Sequence, residues 1–434
     1  MSTQSLPPGN TGLPYLGEAL KIAADPFAWV AGSAQAHGPV VRSKVLGQDL
    51  ALLSGPEAAS AFLDEDNVTR AGGLPPHAAD LFGAGAVNQL DGAPHRARKQ
   101  HLMRALDREA LAAYLPGMRA SLRARMARWR GAEIGLQTEA ARASVGWLVG
   151  CLAGIDGDDA TLDRYGAGYA DFGKALVGLP LALPGRPLRR ARAFTAEMRA
   201  RYAEIADARR ITPTSDGLSR LVASEVDGQR MTTEEIAKEC HHLVFAGSGL
   251  WSWMCHGARA LTEDPALADR LRAAAADLPA EPTGRQLAEV PGLDAFVREV
   301  ERTALTIPFT SFGVAKRDFV VDGHTVPKGW LVTWGTTSSH TVARVSGYTD
   351  PARFEPARFE RGEGAGPHAF APQGPDEALT SHRCGGVELS TLALQLFFAE
   401  LLRGPAFTLA PQDLALDRAS LPARYPSGLR LRFA

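Results

Sequence analysis

The chain has 434 residues, with 47 Lys and Arg against 48 Asp and Glu, a formal net charge of −1. That balance leaves no basic excess for phosphate backbones or anionic membranes, and an aromatic content of 7% gives no sign of a base-stacking platform, so nucleic acid is not an expected partner. The composition, 45% apolar and 22% charged, is that of an ordinary globular protein rather than a disordered or fibrous one. At roughly 150 residues per domain the length suits two or three domains or one large enzyme domain.

The first 15 or so residues, rich in Pro and Gly, read as an extended segment with neither a basic nor an apolar signal-peptide region. A helix follows from about Pro26 to Ala36. VVRSKVLG (40–47) and DLALLSG (49–55) read as a β-hairpin, and 56–64 as a short helix. Arg70 to Gly92 reads as a long loop. From Pro94 to about Gly154 apolar residues recur at three and four, the pattern of amphipathic helices. Two more helices are expected at 159–178 and 187–210, joined by the Pro-containing turn VGLPLALPGRPL.

Thr232 and Thr233 before Glu234 and Glu235 make a helix start. The pattern then runs without a proline to Asp264, far beyond the usual ~11–12 residues, which predicts a single long helix. Leu267–Ala276 and Leu293–Leu305 are further helices. Residues 318–336 read as a hairpin turned at Asp322-Gly323, residues 340–383 as irregular, VELSTLALQLFFAELLR as a closing apolar helix, and the last 25 or so as short β segments. No apolar run reaches about 18 residues, so no membrane span is predicted. Four scattered cysteines without a C-x-x-C pair suit buried thiols in a reducing, cytoplasmic setting. The fold class expected is mainly α with small β-sheets, without a dividing linker.

The irregular stretch ends in FAPQGPDEALTSHRCGGVELS (370–390). Cys384 stands there just before a helix, whose N-terminus favours a thiolate, and Gly385 and Gly386 allow a flat group to approach closely. Upstream are Glu299-x-x-Arg302 on a helix and Pro356-x-Arg358-Phe359. Taken singly, these are a buried thiol and a surface ion pair. In this order and spacing they resemble the cytochrome P-450 superfamily over essentially the whole chain.

The resemblance implies one haem domain over residues 1–434, with haem b ligated through iron by the Cys384 thiolate. Glu299, Arg302 and Arg358 match the family's structural ion triad. His95 and Lys99 in LDGAPHRARK, and His382, match haem-propionate partners, with Gly386 beside the cofactor. Phe370 lies fourteen residues before Cys384, where the family usually has seven. That longer P-Q-G loop is similar to the bacterial fatty-acid peroxygenase and decarboxylase branch, in which Asn88 aligns with a polar position near the distal haem face.

The long helix departs from the family. Monooxygenases carry A-G-x-D/E-T there, an acid–alcohol pair that relays protons for dioxygen activation. This chain reads Ala246-Gly247-Ser248-Gly249-Leu250, so Gly249 replaces the acid and Leu250 the threonine. The peroxygenase branch carries an Arg-Pro pair that holds the substrate carboxylate, and Phe245-Ala246 replaces it. Phe245 is expected to line an apolar pocket, Ala246 and Gly249 to leave room over the haem, and Ser248 to bond its own backbone or stand in as a hydroxyl. At most one of Trp251 and Trp253 is expected to face that pocket. His241, His242 and His256 read as packing or surface residues.

These features imply a haem-thiolate oxidoreductase acting on a medium-sized hydrophobic substrate, in specialised metabolism. It would draw on peroxide or a pre-activated N–O or O–O substrate (oxene or nitrene transfer), with no obligatory redox partner. A conventional monooxygenase and a silent haem-binding homologue stay open as alternatives.

Overall fold

The computed structural model describes residues 5–178, 182–376 and 381–434. Residues 179–181 of the predicted turn, 377–380 of the cysteine loop and the first four residues lie outside the described set. The chain divides into two compact units, residues 1–99 with 301–384, and residues 100–300 with 385–434. The helices Gly92–Met103 and Leu293–Thr303 each contribute residues to both.

The first unit holds a five-stranded sheet in the order Val40–Val45, Gln48–Leu53, Leu331–Trp334, Gly313–Ala315, Val68–Thr69. The predicted hairpin is there in antiparallel register (Val41 opposite Leu52), and Leu331–Trp334 adds to it in parallel. Leu50 and Leu52 pack with Trp29, Val30 and Val41, while Ala51 and Leu53 pack with Phe62, Val332 and Trp334 on the other face. Burial on both faces explains why this strand reads as a continuous apolar run. The hairpin Phe319–Val321/His324–Val326 turns at Asp322 and Gly323, both at positive φ, the signature of a two-residue type I′ connection. Trp334 belongs to the larger sheet, so the single hairpin expected over 318–336 is two separate pieces.

The second unit is helical, with a small sheet of Phe407–Leu409, Arg430–Phe433 and Glu133–Gly135. Its helices include Arg108–Met126, Leu136–Ala153, Asp159–Val177, Pro187–Ile211 and Pro265–Ala276, matching the predicted periodic segments. The closing helix Val387–Arg403 buries nearly its whole circumference. Its one buried carboxylate near the C-terminal end, Glu400, is clamped by the Arg123 guanidinium through two 2.7 Å contacts.

Two expectations are corrected. Arg70–Gly92 is not one loop: it contains the helix Pro76–Phe82 and a 3-10 turn at Val87–Gln89. Prolines at its start and glycines at its end bracket that helix, signals masked by their density in the segment. The long helix is two, Thr233–Gly247 and Leu250–Glu263. The predicted start is a capping box, Thr232 with Glu235. The interruption falls at Ser248-Gly249, where the Ser248 hydroxyl donates to the Phe245 carbonyl at 2.7 Å and competes with the helix ladder. Among the described residues no helix is long and apolar enough to cross a membrane.

Candidate active site

Cys384 closes a loop that starts with a β-turn. Ala371-Pro372-Gln373-Gly374 is bridged by the Gly374 N–H to the Ala371 carbonyl at 3.0 Å, with proline at its second position and Gly374 at positive φ. The Cys384 N–H donates to the Gln373 carbonyl at 3.1 Å, and the Lys99 ammonium donates to the carbonyls of Ser381 and Arg383. Gly386 is the N-cap of the closing helix.

Beside this loop is a buried polar cluster. His95, 1% exposed, stacks on His382 with ring centroids 3.9 Å apart, and Arg70 and Lys99 are also buried. Burial, with His382 and Lys99 nearby, pushes His95 down to about 3, and burial lowers Arg70 to about 10. The Lys99 ammonium is lowered by burial, against the pull of Cys384. One carboxylate answers these groups. Burial would raise Asp91, but His382 Nε2 lies 3.4 Å from it, and the Thr69 hydroxyl and the backbone N–H groups of Arg70 and Ala71 donate to it; together they hold it well below the usual carboxylate range.

Arg70 Nη1 and His95 Nδ1 remain buried with no hydrogen-bond partner among the described residues. Orphaned buried donors of this kind call for an anionic acceptor. Two carboxylates on a flat apolar group, as haem carries, fit that need beside Cys384. Among the described residues no cluster of three His, Cys, Asp or Glu could hold a bare metal ion. Sequence reading named His95, Lys99 and His382 as candidates by resemblance, and the structure brings the three together. That reading missed Asp91, though that residue opens the same D-G-x-x-H pattern, and Arg70, which no local signal marks.

Glu299, Arg302 and Arg358 are all buried. Arg302 donates to the carbonyls of His340, Pro351 and Arg353, and Arg358 to those of Thr349, Asp350 and Arg353 and to the Glu363 carboxylate. Both arginines therefore hold the Arg353 carbonyl. His340 links this network to the cysteine loop. The Ala371 N–H must donate to Nε2, at 2.9 Å, so Nδ1 carries the proton and donates to the Thr336 carbonyl at 2.7 Å. Burial lowers His340 to about 4 and keeps it neutral.

In the second unit the last turn of the helix Thr233–Gly247, ahead of Leu250–Glu263, carries an exposed residue. Ala246 is exposed although Val244 and Leu250 on either side are buried. Phe245 is half-buried and lies against Phe172, ring centroids 4.3 Å apart. The Ser248 proton is committed to the Phe245 carbonyl. Gly249 has little room for a side chain, since a Cβ there would stand 3.2 Å from Pro422 Cγ, a neighbour sequence reading missed. His241 is buried among Tyr169, Phe172 and Phe194, with Nε2 3.3 Å from the Thr195 hydroxyl, and burial lowers it to about 3. His242 lies 3.4 Å from Glu239. Trp253 is buried and Trp251 half-buried. Asn88, in the first unit, sits on the Val87–Gln89 turn with Oδ1 buried and without a partner among the described residues.

A cysteine loop, a braced arginine network and a buried polar cluster beside the loop are the features that the family resemblance leads one to expect. The sequence profile of the family described as Cytochrome P450 matches residues 186–421, and the chain belongs to this family, whose members are haem-iron oxidoreductases. The putative cytochrome P450 120 of Synechocystis is 27% identical over 429 residues, covering 96% of this chain and 94% of the relative. The structure of retinoic acid-bound cyanobacterial CYP120A1 superposes with a TM-score of 0.88 at 26% identity, over the full length of both chains. Cytochrome P450 OleT (F79A) in complex with arachidonic acid shares the fold at a TM-score of 0.84 and 21% identity, covering 99% of this chain and 98% of that one.

Proposed function

We propose that residues 1–434 form one haem b domain that transfers an oxygen atom from peroxide, or a nitrogen group from a reagent with a weak N–O bond, to a medium-sized neutral hydrophobic molecule of specialised metabolism in the cytoplasm. Cys384 would ligate the haem iron, and Arg70, His95, Lys99 and His382 would hold the propionates. Haem bound in this way supplies the oxidising chemistry, with a thiolate whose electron density favours cleavage of an O–O bond.

The carrying observation is the missing proton relay. Gly249 has no donor group, Leu250 is buried and apolar, and the Ser248 proton already serves the Phe245 carbonyl. An oxidant that arrives with its own leaving group needs no such relay: R–H with H2O2 gives R–OH and water. A redox partner is then unnecessary. Retinoic acid in one similar structure supports a largely apolar substrate, and its carboxylate is the feature that Phe245 is proposed not to recognise here.

The test is turnover of candidate substrates with hydrogen peroxide alone, with a reductase system and dioxygen, and with neither. Product with peroxide or with an N–O reagent alone is the expected result. Product formed only with reductase and dioxygen, and carrying oxygen from dioxygen, overturns it in favour of a conventional monooxygenase. That second reading has one observation behind it: the unpartnered Asn88 Oδ1 is an acceptor able to order a water in place of the side-chain relay.

Selectivity follows from Phe245. It occupies the position where the related branch carries a carboxylate-binding arginine, so long-chain acids and their methyl esters are expected to bind within about threefold of each other, against the tenfold or more of a charged hydrogen bond. Substrate-induced spectral titration measures this. Tight binding of the acids that is lost in the esters contradicts it.

A further inference from the structure

We infer that Glu301 and Gln373 form a brace that positions Cys384. The inference rests on the reading of Cys384 as the axial ligand.

Glu301 lies between Glu299 and Arg302 in Glu299-Val300-Glu301-Arg302 but has no part in the E-x-x-R spacing. Two residues from Glu299, it leaves the helix on a different face. It is 4% exposed, and a carboxylate buried to that degree needs donors. Gln373 supplies one, its Nε2 donating to Glu301 Oε1 at 3.0 Å. The backbone carbonyl of the same Gln373 accepts the Cys384 N–H at 3.1 Å. A continuous path of two hydrogen bonds thus runs from the Glu301 carboxylate through Gln373 to the ligand's own amide.

Both ends of the path are anchored. Gln373 is the third residue of the Ala371–Gly374 turn, whose Ala371 N–H is held by His340 Nε2 at 2.9 Å. Glu301 is covalently next to Arg302, which fastens the carbonyls of His340, Pro351 and Arg353. Ten residues lie between Gln373 and Cys384 in the sequence. Tying the Cys384 amide to Gln373 restricts rotation about the bonds before Cα, and with it the direction of Sγ. The bond to a carboxylate is charge-assisted and holds the Gln373 side chain in the one rotamer that keeps this geometry. Glu301 and Gln373 are positioning residues: neither is placed against the iron or the substrate.

The test uses the haem-loaded full chain and follows the rate at which the red-shifted Soret band of the reduced carbon monoxide complex is lost in mild urea, at equal starting haem content. Glu301→Leu and Gln373→Leu are each expected to lose it about tenfold faster than wild type, the scale of one charged hydrogen bond. Glu301→Gln keeps an acceptor oxygen but loses the charge and should fall between wild type and Glu301→Leu. The Glu301→Leu/Gln373→Leu double variant should be no faster than the worse single one, because both remove the same bond. Wild-type rates in both single variants, or a double variant whose effect is the product of the two, overturn the brace. Should Glu301→Leu not take up haem, Gln373→Leu, on a half-buried turn, decides by itself. Wild type measured alongside separates the two readings: absence of the band there rejects Cys384 as ligand and leaves no brace to test.

Discussion

Cys384→Ala is expected to eliminate the red-shifted Soret band of the reduced carbon monoxide complex while part of the haem stays bound. The band reports a thiolate on the iron, so removal of the ligand leaves none of it. Residual binding follows from Arg70, His95, Lys99 and His382, which the substitution does not touch. The other cysteines provide the controls. Burial pushes the thiols of Cys151, Cys240 and Cys255 well above the ordinary range, so they are protonated and unreactive at neutral pH. Their alanine variants should retain the band in full. A Cys384→Ala protein with an unchanged band would remove this residue from the iron.

Local signals in the chain carried most of the helices. The Thr232–Glu235 capping box, the proline starts at Pro26, Pro56 and Pro187 and the three-four periodicity each act within one turn, so the observed boundaries fall within a residue or two. The misread segments depend on competition that periodicity does not encode. At Ser248-Gly249 a single hydroxyl-to-carbonyl bond interrupts a helix whose apolar pattern continues on both sides. In Arg70–Gly92 the seven-residue helix Pro76–Phe82 is too short to show a period.

The site divides in the same way. Cys384, His95, Lys99 and His382 stand in short motifs, and the resemblance of those motifs to a family named them as candidates. Arg70 enters through the fold: Val68–Thr69 pairs with Gly313–Ala315, some 245 residues away, and this places the next residue in the cluster. The closeness of Pro422 to Gly249, and of Gln373 to Glu301, likewise comes from tertiary contacts with no sequence periodicity behind them. The expectation drawn from Gly249 and Leu250 rests on chemistry rather than geometry: their side chains carry no transferable proton in any conformation.

Arg302→Ala should cost about 3–5 kcal/mol of unfolding free energy, the scale for removing one member of a buried charged network. Arg302 is 2% exposed, and its guanidinium also lies 4.9 Å from the centre of the Tyr348 ring, so its loss removes packing as well as charge. Two carbonyls, of His340 and Pro351, would lose this donor, at roughly 1–3 kcal/mol for each that stays dry, and that of Arg353 would keep only Arg358. The His340 carbonyl belongs to the residue whose ring holds Ala371, so the disturbance should pass into the cysteine turn. Arg302→Lys should recover little, because one ammonium cannot reproduce a planar fork reaching three acceptors. Denaturant unfolding and the haem-to-protein ratio of the purified variant measure the effect, expected as poor folding and haem loss together. A well-folded, haem-loaded Arg302→Ala protein whose substrate preference has shifted would instead place this arginine at the substrate and break the structural assignment of the network.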